Sequence, residues 1–188
     1  MDKKTYAKII EACWALAEQG LSSLTVEKIS AQSGIYEVEL TPLFPEQKFI
    51  LLALIADIKS KVELPTYSET LPQDDQFFDG VMAYYDTCQP HKTAIKRLAQ
   101  DMLWTPLLSL AISPHMLQIA NDLTDRYYPL PENSLKASFQ NAGQKLAIQI
   151  LLLRVFYKWV EDDSFDLSET MAALDQGMKQ INQLKNWF

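Results

Sequence analysis

The sequence predicts an all-α protein, with a small N-terminal helix-turn-helix unit followed by a larger helical domain. Apolar residues recur at three- and four-residue steps along most of the 188-residue chain, the period of an amphipathic helix. Only five Gly are present, too few turn residues for a strand-and-hairpin architecture. The hydrophobic fraction of 48%, against 22% charged, is enough for a sizeable core and argues against disorder.

The first helix is expected over residues 4–19. Tyr6, Ile9, Ile10, Cys13, Leu16 and Ala17 fall on one face, and Gly20 follows as a C-terminal cap. Thr25 caps a short second helix through Ser30, with Val26 and Ile29 inward. Gly34 marks a tight turn before a third short helix from Tyr36 to Leu40. Pro42 and Pro45 flank its exit. A fourth helix carries Phe49, Leu52, Ile55 and Ile58, and ends by Pro65. A short helix, a Gly-containing turn and another short helix form a helix-turn-helix.

On Ile10, Ala12, Leu16, Gly20, Thr25, Val26, Ile29, Gly34, Ile35, Leu40, Phe44 and Pro45, this stretch resembles the N-terminal signature of the TetR family of transcriptional regulators. The resemblance covers about 50 residues. It implies a TetR-like fold with a three-helix helix-turn-helix unit over 1–48 and a helical ligand-binding and dimerisation domain over 49–188. It also implies a homodimer, operator DNA as a partner, and DNA-facing residues at Lys3, Lys4, Lys28, Tyr36, Glu37, Glu39, Thr41, Gln47 and Lys48. Several of these depart from the family pattern. Thr41 stands in the slot of an aromatic phosphate contact and Gln47 in that of a Lys. From Gly34 to Gln47 there are three Glu and no Lys or Arg. Carboxylates repel phosphates, whose anchoring supplies much of the affinity for DNA. Lys3, Lys4 and Lys8 form either an arm beside a groove or a solvated basic end. The net charge of −7 and pI near 4.8 remove any whole-molecule attraction to nucleic acid, so binding would need a local basic face.

In the second domain, helices are expected over 75–88, from His91 to Trp104, from a Ser113-Pro114 start to Tyr128, from Ser134 to Glu161 and from Leu167 to Asn186. Pro90, Pro106 and a loop with Pro129 and Pro131 separate them. Ten large side chains are candidates for an apolar ligand pocket. Phe77, Phe78, Met82 and Tyr85 share one helix. Met102, Trp104, Leu108 and Met116 follow, and Phe156 and Trp159 stand on the longest helix. Taken singly, each is more often plain core. Met171, Leu174, Met178 and Ile181 form a stripe suited to helix pairing, the expected dimer interface, or else pack within their own subunit.

The segment Phe156–Ile181, FYKWVEDDSFDLSETMAALDQGMKQI, is similar to the C-terminal region of TetR-fold, lipid-binding accessory proteins of ubiquinone biosynthesis. The likeness lies in a long apolar helix, the Asp162-Asp163-Ser164 turn, Glu169-Thr170 and Leu174-Asp175. The Leu43-Phe44-Pro45 turn also suits that family. The resemblance implies a helix-turn-helix that need not act on DNA and a lipid or other apolar small molecule as ligand. The family's further amphipathic C-terminal helix is not identifiable before Trp187-Phe188.

Catalysis is not expected. His91 and His115 read as surface residues beside helix starts. Asp74-Asp75 and Asp162-Asp163 read as solvated caps, because consecutive carboxylates point apart on a helix. No phosphate-cradling loop or nucleophile motif is present, and no metal or cofactor is implied. Cys13 and Cys88 read as buried thiols suited to a reducing cytoplasm. MDKKTYAK lacks the apolar core of a signal peptide, and Ala147 to Val160 is too short and too polar to span a bilayer. A cytoplasmic protein is expected. Three functions remain open: a ligand-responsive transcriptional regulator, a non-DNA-binding lipid or isoprenoid accessory protein, and an unliganded dimer acting through protein partners.

Overall fold

A computed structural model describes residues 2–128 and 135–185. Among them lie nine α-helices, two short 3-10 turns and no strand. The chain divides into two compact units, Met1–Val62 with Thr87–His115, and Glu63–Asp86 with Met116–Phe188. The expected division after Lys48 falls inside a helix, α4 (Gln47–Lys61), that belongs entirely to the first unit. The expected loop at Pro129 and Pro131, and the helix end at Asn186, lie outside the described residues.

In the first unit, α1 (Lys3–Ala17) is capped by Asp2, whose carboxylate accepts from the Thr5 N–H at 2.8 Å and the Thr5 hydroxyl at 2.9 Å. Its Ile9, Ile10, Cys13, Leu16 and Ala17 are buried, the face that the spacing predicts. The chain then turns through Gly20, at φ +107°, where a Cβ would also meet the Asp101 and Arg97 side chains. A 3-10 turn (Leu21–Ser23) leads to α2 (Val26–Ser33), capped by the Thr25 hydroxyl accepting from the Lys28 N–H. Gly34, left-handed at φ +73°, ends α2 and turns the chain into α3 (Glu37–Leu40). Helices α2, α4 and α6 (Lys92–Met102) pack on α1, and α3 packs on α2. The core between them holds Ile29, Leu40, Ile50 and Leu54.

Helices α5 (Gln73–Cys88) and α7 (Pro106–Tyr127) each carry residues of both units. Ser113-Pro114 does not start a helix, as the sequence suggests it should; Pro106 stands at the first position of α7 and Pro114 lies inside it. Proline at 114 has no N–H to give the carbonyl of Leu110, four residues back. The Ser113 hydroxyl donates to that carbonyl at 2.9 Å, so the acceptor is not orphaned and the helix continues.

In the second unit the 27-residue α8 (Leu135–Glu161) packs along α9 (Ser168–Lys185). The linker before α5 is held to it by Gln76, which is buried. Its side chain accepts from the Ser68 N–H at 2.7 Å and donates to the Ser68 and Leu71 carbonyls at 2.8 and 2.9 Å. The Pro65 carbonyl accepts from Arg126 at 3.0 Å and from the Tyr127 hydroxyl at 3.1 Å. Among the described residues no buried side-chain nitrogen or oxygen lacks a hydrogen-bond partner.

Candidate functional site

The outward face of the helix-turn-helix is the first candidate. Leu40 and Phe44 point inward, which turns Tyr36, Glu37, Val38, Glu39 and Thr41 out. Tyr36 is 76% exposed and Val38 78%, flanked by the two glutamates. The Thr41 hydroxyl bonds back to the Glu37 carbonyl at 2.8 Å. Gln47 does not face outward as a Lys in its place would. Its amide donates to the carbonyls of Leu21 and Leu24, at 2.7 and 3.3 Å, satisfying the 3-10 turn from within the unit. Lys48 pairs with Glu46 at 2.9 Å and lies over the Phe49 ring, and the Lys28 ammonium donates to the Ser23 hydroxyl. Lys3 and Lys4 are exposed at the start of α1. The recognition segment therefore presents two carboxylates and two apolar side chains where phosphate anchors would stand.

Within the first unit His91 is half-buried and stacks on Trp14, ring centroids 4.0 Å apart. Trp14 donates from its indole nitrogen to Asp57 at 2.9 Å, and Asp57 pairs with Lys61 at 2.7 Å. Burial, and then the Lys61 charge, hold the His91 imidazole below its ordinary value. The residue is structural, joining the turn before α6 to α1.

The ten candidate pocket residues are divided between the two units. Met102, Trp104 and Leu108 belong to the first unit and the others to the second. Trp104 is 87% exposed and Met116 is exposed as well. Phe77, Tyr85 and Trp159 are buried core, with Tyr85 stacked on Trp159 at 5.3 Å and Phe156 against the same indole at 6.1 Å. These rings pack against one another as core aromatics do. Phe77 borders a void of about 10 Å3 with Tyr128, Ile148 and Leu151. Phe78 borders a polar cleft of about 360 Å3 whose walls include Asp74, Asp75, Asp79 and Asp175. Asp74 is not a merely solvated cap: it accepts from the Tyr128 hydroxyl at 2.6 Å and from Asn182 at 2.5 Å.

The stripe on α9 faces its own subunit. Leu174 and Met178 are buried, Ile181 is half-buried, and Met171 is exposed. Gly177 allows this approach, since a Cβ there would collide with Leu151 of α8. Leu174 and Met178 thus pack within their own chain, where α9 lies on α8. The structure exposes another apolar stripe, on α8. Leu146, Ile150, Leu153 and Tyr157 of α8 are all exposed, at steps of four, three and four. That is the spacing of a coiled-coil seam.

The second resemblance proves to involve a built feature. Asp162 is 1% exposed rather than solvated. Its carboxylate accepts from the N–H and hydroxyl of Thr170, at 2.8 and 2.7 Å, from the Ser164 N–H at 3.0 Å and from the Ser164 hydroxyl. Burial alone would raise the carboxyl pKa, but the bonds from Ser164 and Thr170 outweigh it and hold the group well below the usual carboxylate range. Leu167, at φ +54°, is the left-handed residue that lets the turn close before α9. Lys158 and Glu169 pair across the same turn. Among the described residues no three His, Cys, Asp or Glu side chains form a metal-binding group. No helix is long and apolar enough to cross a membrane among those residues.

The chain matches no protein-family model, and no curated protein matches it. Its fold is similar to that of a TetR transcriptional regulator from Rhodococcus sp. RHA1, known from a crystal structure. The TM-score is 0.62 at 10% sequence identity, over 94% of each chain. The all-helical, TetR-like fold expected from the sequence is borne out; at this identity the likeness concerns the fold alone.

Proposed function

We propose that this chain is a homodimeric TetR-fold binding protein that does not work through DNA, an accessory protein of the lipid- or isoprenoid-binding kind that its C-terminal segment resembles. The observation that carries the reading is the recognition face. Glu37 and Glu39 point outward, Gln47 is spent on the carbonyls of Leu21 and Leu24, and Lys48 is paired with Glu46. A regulator's helix-turn-helix needs cations at these places. Asp162, Ser164 and Thr170, on which the accessory-protein resemblance rests, form one buried joint between α8 and α9, which lends that resemblance weight. Self-association is assigned to the exposed stripe of Leu146, Ile150, Leu153 and Tyr157. An apolar ligand of the second unit would lie against the rings of Tyr85, Phe156 and Trp159. No feature recommends catalysis.

A second reading, a ligand-responsive transcriptional regulator, is favoured by the likeness to a TetR regulator over 94% of both chains. One experiment separates the two. The full chain is tested by mobility shift against DNA from upstream of its own coding sequence at low salt. A portion purified gently is examined in parallel by native mass spectrometry. The accessory reading expects no shifted DNA and a co-purifying apolar molecule. A sequence-selective shift at low salt would overturn it in favour of the regulator.

A further inference from the structure

The outward face of α3 alternates apolar and acidic side chains. At about 100° per residue, Val38 stands on the side of the helix opposite the buried Leu40, and Glu37 and Glu39 flank it. Tyr36 heads the helix without capping it, and Leu43 is exposed in the turn that follows. Single exposed apolar side chains are ordinary, but three within eight residues on one small element mark a contact surface. Its shape is set from inside the unit. Leu40 and Phe44 are buried, the Thr41 hydroxyl holds the Glu37 carbonyl, and Gln47 ties the start of α4 to the Leu21–Ser23 turn. A surface held in one shape has little freedom to lose on binding.

Charge decides what covers it. From Ile29 to Gln47 there are three Glu and no Lys or Arg. The lysines that bracket this segment are engaged, Lys48 with Glu46 and Lys28 with the Ser23 hydroxyl. Among the described residues no ion pair meets Glu37 or Glu39. Two unpaired carboxylates beside an apolar apex repel nucleic acid and anionic lipid alike. Their complement is an apolar side chain between two cations, the pattern of a basic amphipathic protein segment. An Arg of such a segment would also stack on the Tyr36 ring.

We infer that α3 docks a basic protein partner, with Tyr36 and Val38 making the apolar contact while Glu37 and Glu39 pair with its Lys or Arg side chains. The inference rests on the reading of this chain as an accessory protein that does not work through DNA, and assigns the recognition face a different occupant.

The test places a photo-cross-linking amino acid at position 38 of the full chain, expressed in the cells that encode it. The cross-linked protein is identified by mass spectrometry, and its binding to the unmodified chain is then measured with both purified. The linked segment is expected to be rich in Lys and Arg, and the affinity to fall as salt is raised. Glu37→Lys with Glu39→Lys should weaken binding on the order of a hundredfold, since two attractive pairs become two like-charge contacts. Both positions are exposed, so helix content by circular dichroism stays that of the parent. The inference is overturned if position 38 links to no protein, if it links only to a second copy of this chain, or if the double reversal leaves the affinity unchanged. None of those results produces a shift of DNA at low salt, so the accessory reading would survive them, whereas a sequence-selective shift would remove both.

Discussion

Replacing Asp162 by Ala tests whether the joint between α8 and α9 is held by one buried carboxylate. The substitution strips the acceptor from the Thr170 N–H, the Thr170 hydroxyl and both donors of Ser164. Thr170 is wholly buried, so neither of its donors can turn to water. A buried polar group left without a partner costs about 1–3 kcal/mol, and two such groups with a partly solvated third give a loss on the order of 3–5 kcal/mol. Asp162→Asn keeps one carbonyl acceptor and should lose about half as much. Urea unfolding followed by far-ultraviolet circular dichroism reads both values. The pH dependence supplies an independent sign. The folded-state pKa of Asp162 is lowered, so its contribution is fully present above the unfolded value of about 3.9 and is lost as pH falls from there through the folded value. The parent should therefore lose stability more steeply than Asp162→Asn below about pH 4. A loss of under about 1 kcal/mol in Asp162→Ala, the size of an ordinary surface change, would refute the reasoning.

Further expectations concern the other packed features. Ile150→Glu with Leu153→Glu should convert a dimer to a monomer by light scattering without changing helix content, whereas Met171→Glu should not; a dimeric double variant would remove α8 from the interface. Because the His91 pKa is lowered on folding, the unfolded chain binds more protons just below about pH 6.5, and stability should fall as pH falls through that window. His91→Gln should flatten that part of the pH profile, read as the urea midpoint. Gly80→Ala forces a methyl into the Tyr127 ring and should cost roughly 1–3 kcal/mol in the same assay, the range for overpacking a core. Burial pushes the Cys13 and Cys88 thiols up to about 12, so a thiol reagent at neutral pH should modify both only after denaturation.

Much of the first unit was legible because its signals are local. Thr25 before an apolar period, and Gly20 or Gly34 after one, act through backbone geometry that a few neighbouring residues determine. Ser113-Pro114 misled for the same reason. The pair has the chemistry of a helix start, but here it lies inside a longer helix, where Ser113 donates to the Leu110 carbonyl that Pro114 cannot reach. The partner of a stripe is not local. Met171, Leu174, Met178 and Ile181 have the period of a pairing face, but period alone does not say whether the paired helix belongs to the same chain. What decides here is Gly177, whose missing side chain admits Leu151 and turns the stripe onto α8.

The same distinction explains why a helix-turn-helix can be plain in sequence while its role is not. The residues that shape it, Ile29, Gly34, Leu40 and Phe44, are satisfied by contacts inside the unit and would serve equally well whatever lay outside. Gln47 sharpens the point. It occupies a position where a cation would reach for phosphate, yet two carbonyls at the Leu21–Ser23 turn take its donors. A Lys there could reach outward only by leaving those carbonyls to another partner. Restoring Lys at position 47 alone would therefore trade internal bonds for one phosphate contact, with Glu37 and Glu39 still opposing it across the same face. Recovery of DNA affinity would require the glutamates to be reversed as well, because an unfavourable field acts on every phosphate near it whereas a single anchor holds one.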